Sequence, residues 1–168
     1  MPKALIFADE EFDDVEVSYP KQRLRDAGFT VDVATKGRAE MYGKKGAVAG
    51  ATTDIKDVKV EDYDLVIVPG GYRSPDRLRT YDEVLNFIKE MDKAKKVVAA
   101  ICHGLWVLIS AGIVKDRTMT GHRGTRDDLI NAGANYVDEE AVIDGNLVTS
   151  RHPRDVAAFT QAVLSKFK

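Results

Sequence analysis

Cysteine is nearly absent: Cys102 is the only one in 168 residues, so no intrachain disulfide and no Cys-x-x-Cys metal knuckle can form. The three histidines, His103, His122 and His152, include no His-x-x-x-His pair, and no metal is expected. Neither sign of charge dominates. A formal net charge of −2 gives no general attraction to nucleic acid or to an anionic membrane, so neither is an expected partner. No apolar run approaches the roughly 20 residues needed to cross a bilayer. The stretch Ala4–Ala8 behind Met1-Pro2-Lys3 is too short for a signal-peptide core and lacks a cleavage site. Repeats, low-complexity tracts and linkers are also missing. What remains is an ordinary globular composition, 44% hydrophobic, 31% charged and 8% aromatic. The expectation is one cytoplasmic domain over residues 1–168.

Strand and helix patterns alternate along the chain, which predicts an α/β sandwich around a mostly parallel sheet. Lys3–Ala8, Thr30–Ala34, Asp64–Val68 and Val97–Ile101 read as buried strands. A helix is predicted over Val15–Ala27, disturbed by Pro20 and ended by Gly28. The glycine-rich stretch Gly37–Ala51 reads as a loop or short hairpin, and Ser74–Lys93 as one or two helices. Beyond these come a short strand at Arg117–Thr120 and a helix at Arg126–Ala132. A hairpin around Asp144-Gly145-Asn146 and a last helix over Pro153–Phe167 complete the pattern.

Cys102 falls where the Val97–Ile101 strand must turn at once into a helix beginning near Leu105. Ala100-x-Cys102-x-Gly104 has the layout of a nucleophile elbow, with small residues two positions either side of the reactive one. A helix N-terminus beside the thiol predicts a depressed pKa and rapid alkylation below neutral pH.

Ligands of open α/β sheets collect at the carboxyl ends of the strands. The polar residues there are Asp9, Glu10, Glu11 and Asp13; Gly70, Gly71 and Asp76; Cys102 and His103; His122; and Arg151 and His152. Backbone N–H groups of Gly71 and His103 are candidates for an oxyanion hole. Gly70, His122 and Arg151 are possible site-lining residues. His103 or His122 could serve as base, although residues i and i+1 of a regular helix do not face each other. Pro69-Gly70-Gly71-Tyr72-Arg73 is not a phosphate-binding loop, so no nucleotide cofactor is expected.

Several blocks together resemble the ThiJ/PfpI family, most closely its PfpI-type intracellular cysteine protease branch. They are Phe12-Asp13-Asp14-Val15-Glu16 with Tyr19-Pro20; Leu65–Gly71; Ala100–Gly104 with Leu108–Gly112; Asp127–Gly133; and Asp144–Arg151. The resemblance implies a flavodoxin-like sandwich in a single domain of the class I glutamine amidotransferase-like type. It implies Cys102 as nucleophile and His103 as its partner. A family glutamate that reaches the thiol from a neighbouring subunit matches Asp76, and one that hydrogen-bonds the cysteine matches Asp13; each is a methylene shorter here. The proline of the family's Cys-His-Gly-Pro is Leu105, and a tyrosine near the site is His122. A homo-oligomer, dimer to hexamer, is implied.

The first functional expectation is a cysteine-dependent peptidase, hydrolase, glyoxalase or deglycase acting on a small carbonyl compound or a peptide through Cys102. The alternative is a non-catalytic redox sensor or stress chaperone working through oxidation of Cys102. A glutamine amidotransferase is excluded, because that activity needs a late His-x-Glu and the chain offers His152-Pro153-Arg154.

Overall fold

Four runs of apolar, largely β-branched residues form the centre of the computed structural model, which describes residues 1–168. The strands are β1 (Lys3–Phe7), β2 (Thr30–Thr35), β3 (Glu40–Tyr42), β4 (Val48–Gly50), β5 (Thr53–Asp54), β6 (Leu65–Val68), β7 (Val97–Ile101), β8 (Thr118–Met119), β9 (Asn135–Tyr136), β10 (Val142–Asp144) and β11 (Leu147–Ser150). The helices are α1 (Asp14–Asp26), α2 (Ser74–Leu78), α3 (Asp82–Lys93), α4 (Leu105–Ser110), α5 (Arg126–Asn131) and α6 (Val156–Ser165). The main sheet runs β10-β11-β7-β6-β1-β2-β5 and is parallel except for the β10–β11 hairpin.

Alternate residues of the central strands feed two cores. Leu5, Phe7, Val66, Val68, Val98 and Ala100 pack with α3 and α4 on one face. Ala4, Ile6, Leu65, Ile67, Ala99 and Ile101 pack on the other with Val17 and Leu24 of α1 and Phe159 and Val163 of α6. Strands covered on both faces carry no alternation, which is why these segments read as continuous apolar runs.

The structure keeps the predicted hairpin within residues 37–51 and the helix through Pro20, and adds strand pairings that the sequence did not reveal. Pro20 lies inside α1 without ending it, buried against the sheet. The stretch 37–51 is the antiparallel β3–β4 hairpin, and the edge strand β5 follows it. The short strand near Thr118 does not join the main sheet. It pairs in parallel with β9, which the sequence did not reveal.

Candidate active site

The main sheet presents the carboxyl ends of β1, β6 and β7 side by side, and Cys102 follows β7 directly. Its φ of +63° is a left-handed conformation that costs a non-glycine residue roughly 1–2 kcal/mol. A 3-10 turn over Cys102–Gly104 leads into α4. A side chain at Gly104 would collide with the Val68 carbonyl, so the small residue of the elbow is required by packing. This bend defeats the helix rule for neighbouring residues: Cys102 Sγ and His103 Nδ1 lie 3.4 Å apart.

Glu16, not Asp13, faces the sulfur. Its carboxyl is fully buried, Oε1 accepts the Gly70 N–H at 2.8 Å, Oε2 has no hydrogen-bond partner, and the carboxyl as a whole interacts with the Cys102 thiol. Burial, then the Asp13 charge, pushes Glu16 up to about 8, so it is a neutral acid at pH 7. Asp13 is spent elsewhere. It caps α1 by accepting from Val15 and Glu16 N–H, both at 3.2 Å, and it pairs with Lys44 Nζ at 2.7 Å. The assignment of Asp13 as the carboxyl beside the cysteine is therefore corrected to Glu16. The signal was present in the pattern: Glu16 stands four residues before Pro20 and eight before Leu24, on the buried stripe of α1.

The thiol is covered as well, at 4% exposure. Burial, and next the charge of Glu16, push its pKa up; the His103 N–H and Lys44 oppose this more weakly. The expected depression by a helix terminus is thus reversed, because burial outweighs the six-residue α4. Once Glu16 is protonated its charge is gone, and its carboxyl can donate to a thiolate instead of repelling it.

His103 packs against two rings. His122 stacks on it at 4.0 Å between centroids with the planes 26° apart, and Trp106 is tilted at 4.8 Å with its Nε1–H donating to Asp128 at 2.9 Å. Burial, then His122 and Lys44, lower His103 to about 4, so the ring is neutral at pH 7. Burial also lowers His122. His122 Nδ1 accepts the Gly124 N–H at 2.9 Å, and the His122 N–H donates to the Cys102 carbonyl at 3.1 Å. His122 therefore backs His103 and does not contact the sulfur directly.

Gly70 and Gly71 complete the wall. A methyl group on Gly70 would lie 2.8 Å from Cys102 Cβ and 2.9 Å from both Glu16 Oε1 and the His103 nitrogen. Gly71 has φ +118° and bridges to Phe12, and its N–H has no partner within the protein. Asp76 is exposed on α2 and makes no contact with the thiol of its own chain. Arg151 lies apart, its guanidinium held by Asp155 at 2.8 Å and Asp138 at 3.1 Å. Asp9 is buried in a clasp with Arg77 and Tyr81, away from the sulfur. No group of residues has metal-binding geometry, and no helix is long and apolar enough to cross a membrane.

A flavodoxin-like α/β sandwich with a strained cysteine at a strand-to-helix elbow, set against a neutral carboxyl and a neutral imidazole, defines a class of cysteine-centred proteins. The DJ-1/PfpI family model matches residues 2–166, and the chain belongs to that family. Deglycase PfpI of Pyrococcus furiosus is 39% identical, with 99% of each chain covered. YraA of Bacillus subtilis, provisionally named a cysteine protease, is 40% identical over 99% of this chain and 98% of its own. A two-domain protein of Anabaena variabilis containing DJ-1/ThiJ/PfpI-like and ferritin-like domains superposes with a TM-score of 0.95 at 36% identity; the match covers 99% of this chain and 48% of that one. These names support an enzyme of the PfpI type.

Proposed function

We propose that the chain is a cysteine-dependent enzyme acting on small carbonyl compounds, either a free 2-oxoaldehyde or its adduct with an amine or thiol. The observation that carries this reading is the sulfur held at φ +63° between a neutral Glu16 carboxyl and the neutral His103 Nδ1, 3.4 Å away. The names of the deglycase relatives support the same substrate class. A nearly covered thiol admits a small electrophile more readily than a polypeptide, which sets the carbonyl reading ahead of the peptidase one.

In this reading the sulfur forms a bond to the aldehyde carbon and the carbonyl π pair moves to oxygen. The proton shared by the thiol and Glu16 neutralises that oxygen, and the Gly71 N–H is placed to support it. His103 then carries the C1 proton to C2 while the C1 hydroxyl proton passes to the C2 oxygen, which turns the hemithioacetal into a thioester of a 2-hydroxy acid. Water hydrolyses the thioester and restores the thiol. The net reaction is addition of one water to the 2-oxoaldehyde, with no oxidant consumed. Asp76, exposed on α2, is offered to a second copy of the chain in a homo-oligomer.

The test is a panel of methylglyoxal, glyoxal and fluorogenic peptides on the wild type and Cys102→Ser. Turnover of the aldehydes to 2-hydroxy acids, lost in the variant, is the expected result. Peptide cleavage alone, or aldehyde turnover that survives the substitution, would reject the reading.

A further inference from the structure

The largest cavity of the molecule, about 780 Å³, is a groove beside the thiol site that Cys102 does not itself line. Gly121 and Arg123 line it on either side of His122, whose ring stacks on His103 and whose N–H holds the Cys102 carbonyl. A side chain at Gly121 would meet Leu105, the first residue of α4, so this segment packs directly on the elbow. The groove is therefore lined by the two residues that flank His122, which places it next to the histidine pair although neither His103 nor His122 lines it.

The charges in the groove are mostly matched. Arg151 is held by Asp138 and by the buried Asp155. Arg126 pairs with its neighbour Asp127 at 3.0 Å, both exposed, a contact that water and other anions can exchange at little cost. His152 sets its buried Nδ1 3.6 Å from Asp155. One charge has no partner: Arg123 is exposed and makes neither an ion pair nor a side-chain hydrogen bond. A planar guanidinium of this kind suits bidentate binding of a carboxylate.

We propose that this groove is a subsite for a carboxylate borne by the substrate, with Arg123 as its anchor and Arg126 assisting. The electrophile that Cys102 prefers is then a carbonyl compound with an acidic tail. Because Cys102 does not line the groove, several bonds separate the acid from the reacting carbon. The proposal rests on the reading of Cys102 as nucleophile and narrows its substrate class.

The experiment uses stoichiometric alkylation, which needs the thiol but no turnover. N-Iodoacetyl derivatives of glycine, β-alanine and γ-aminobutyrate are compared, each with its own primary amide, by intact mass. At low ionic strength at least one acid should label Cys102 about fivefold faster than its amide. Salt should shrink that advantage, Arg123→Gln should abolish it, and Arg25→Gln on the exposed side of α1 should leave it intact. Acids no faster than amides at any tail length, or a preference that survives in Arg123→Gln, would overturn the subsite. An intact acid preference without aldehyde turnover would reject the proposed reaction and keep the subsite, so the two failures are distinguishable.

Discussion

Glu16 and Cys102 face each other across Gly70: a methyl group added to that glycine would touch both side chains, 2.9 Å from Glu16 Oε1 and 2.8 Å from Cys102 Cβ. The acid and the thiol thus belong to one buried unit, in which loss of a proton from one opposes loss from the other.

Glu16→Gln keeps the shape of the acid and removes its titration. In the wild type, ionisation of Glu16 near pH 8 places a negative charge beside the sulfur. Above that pH the Gln variant should be alkylated faster by iodoacetamide, several-fold by pH 9. Identical profiles would show that the carboxyl does not act on the thiol.

The same substitution has a stability signature. The folded Glu16 pKa is raised, from 4.5 to about 8, so the folded state keeps a proton that the unfolded state releases. The resulting stabilisation is full below pH 4.5 and is lost as pH rises to 8, a change on the order of a few kcal/mol. Relative to the wild type, Glu16→Gln should therefore gain stability between pH 5 and pH 8 in denaturant melts. A constant difference across that range would contradict the raised pKa.

Asp13→Asn retains a cap for α1 while removing the charge paired with Lys44. A stability loss of about 1 kcal/mol or less and aldehyde turnover within a few-fold of wild type are expected. A hundredfold loss of turnover with a normal melt would restore Asp13 as the acid that serves the thiol.

His103 is held neutral by burial, with a pKa lowered to about 4. The acid limb of the kcat/KM profile for methylglyoxal should therefore fall near pH 4. A limb near 6.5, the ordinary value for histidine, would place the ring in water or make another group the base.

Gly70→Ala introduces a Cβ within 2.9 Å of the His103 nitrogen, a backbone atom that cannot move aside cheaply. A loss of roughly 1–3 kcal/mol is expected, together with loss of turnover. Unchanged melting and activity would mean that the wall is looser than the structure shows.

The fold was legible because its signals are local and repeated. Val97–Ile101 is apolar throughout because helices cover both faces of the sheet, and the step to Cys102-His103-Gly104 marks the turn without any tertiary information. The placement of His103 was only half legible. Adjacency argued against contact, and the left-handed φ of Cys102 that allows it cannot be read from composition. Matching Asp13 to the carboxyl beside the cysteine, with Glu16 not considered, failed for a geometric reason. Asp13 is the cap of α1 and Glu16 lies in its first turn, so the cap takes the earlier carboxylate while the helix rotation carries the later one inward. Lys44 was invisible because its approach to Asp13 depends on the fold-back of the β3–β4 hairpin. The groove beyond His122 is assembled from distant segments and has no sequence signature.

The most direct test of the central claim is a single-turnover reaction with enzyme in excess over methylglyoxal, quenched in acid and read by intact mass and peptide mapping. A transient adduct on the peptide containing Cys102, absent from Cys102→Ser and decaying as the 2-hydroxy acid appears, is the predicted result. Product formed at the wild-type rate with no adduct at Cys102 would contradict the account.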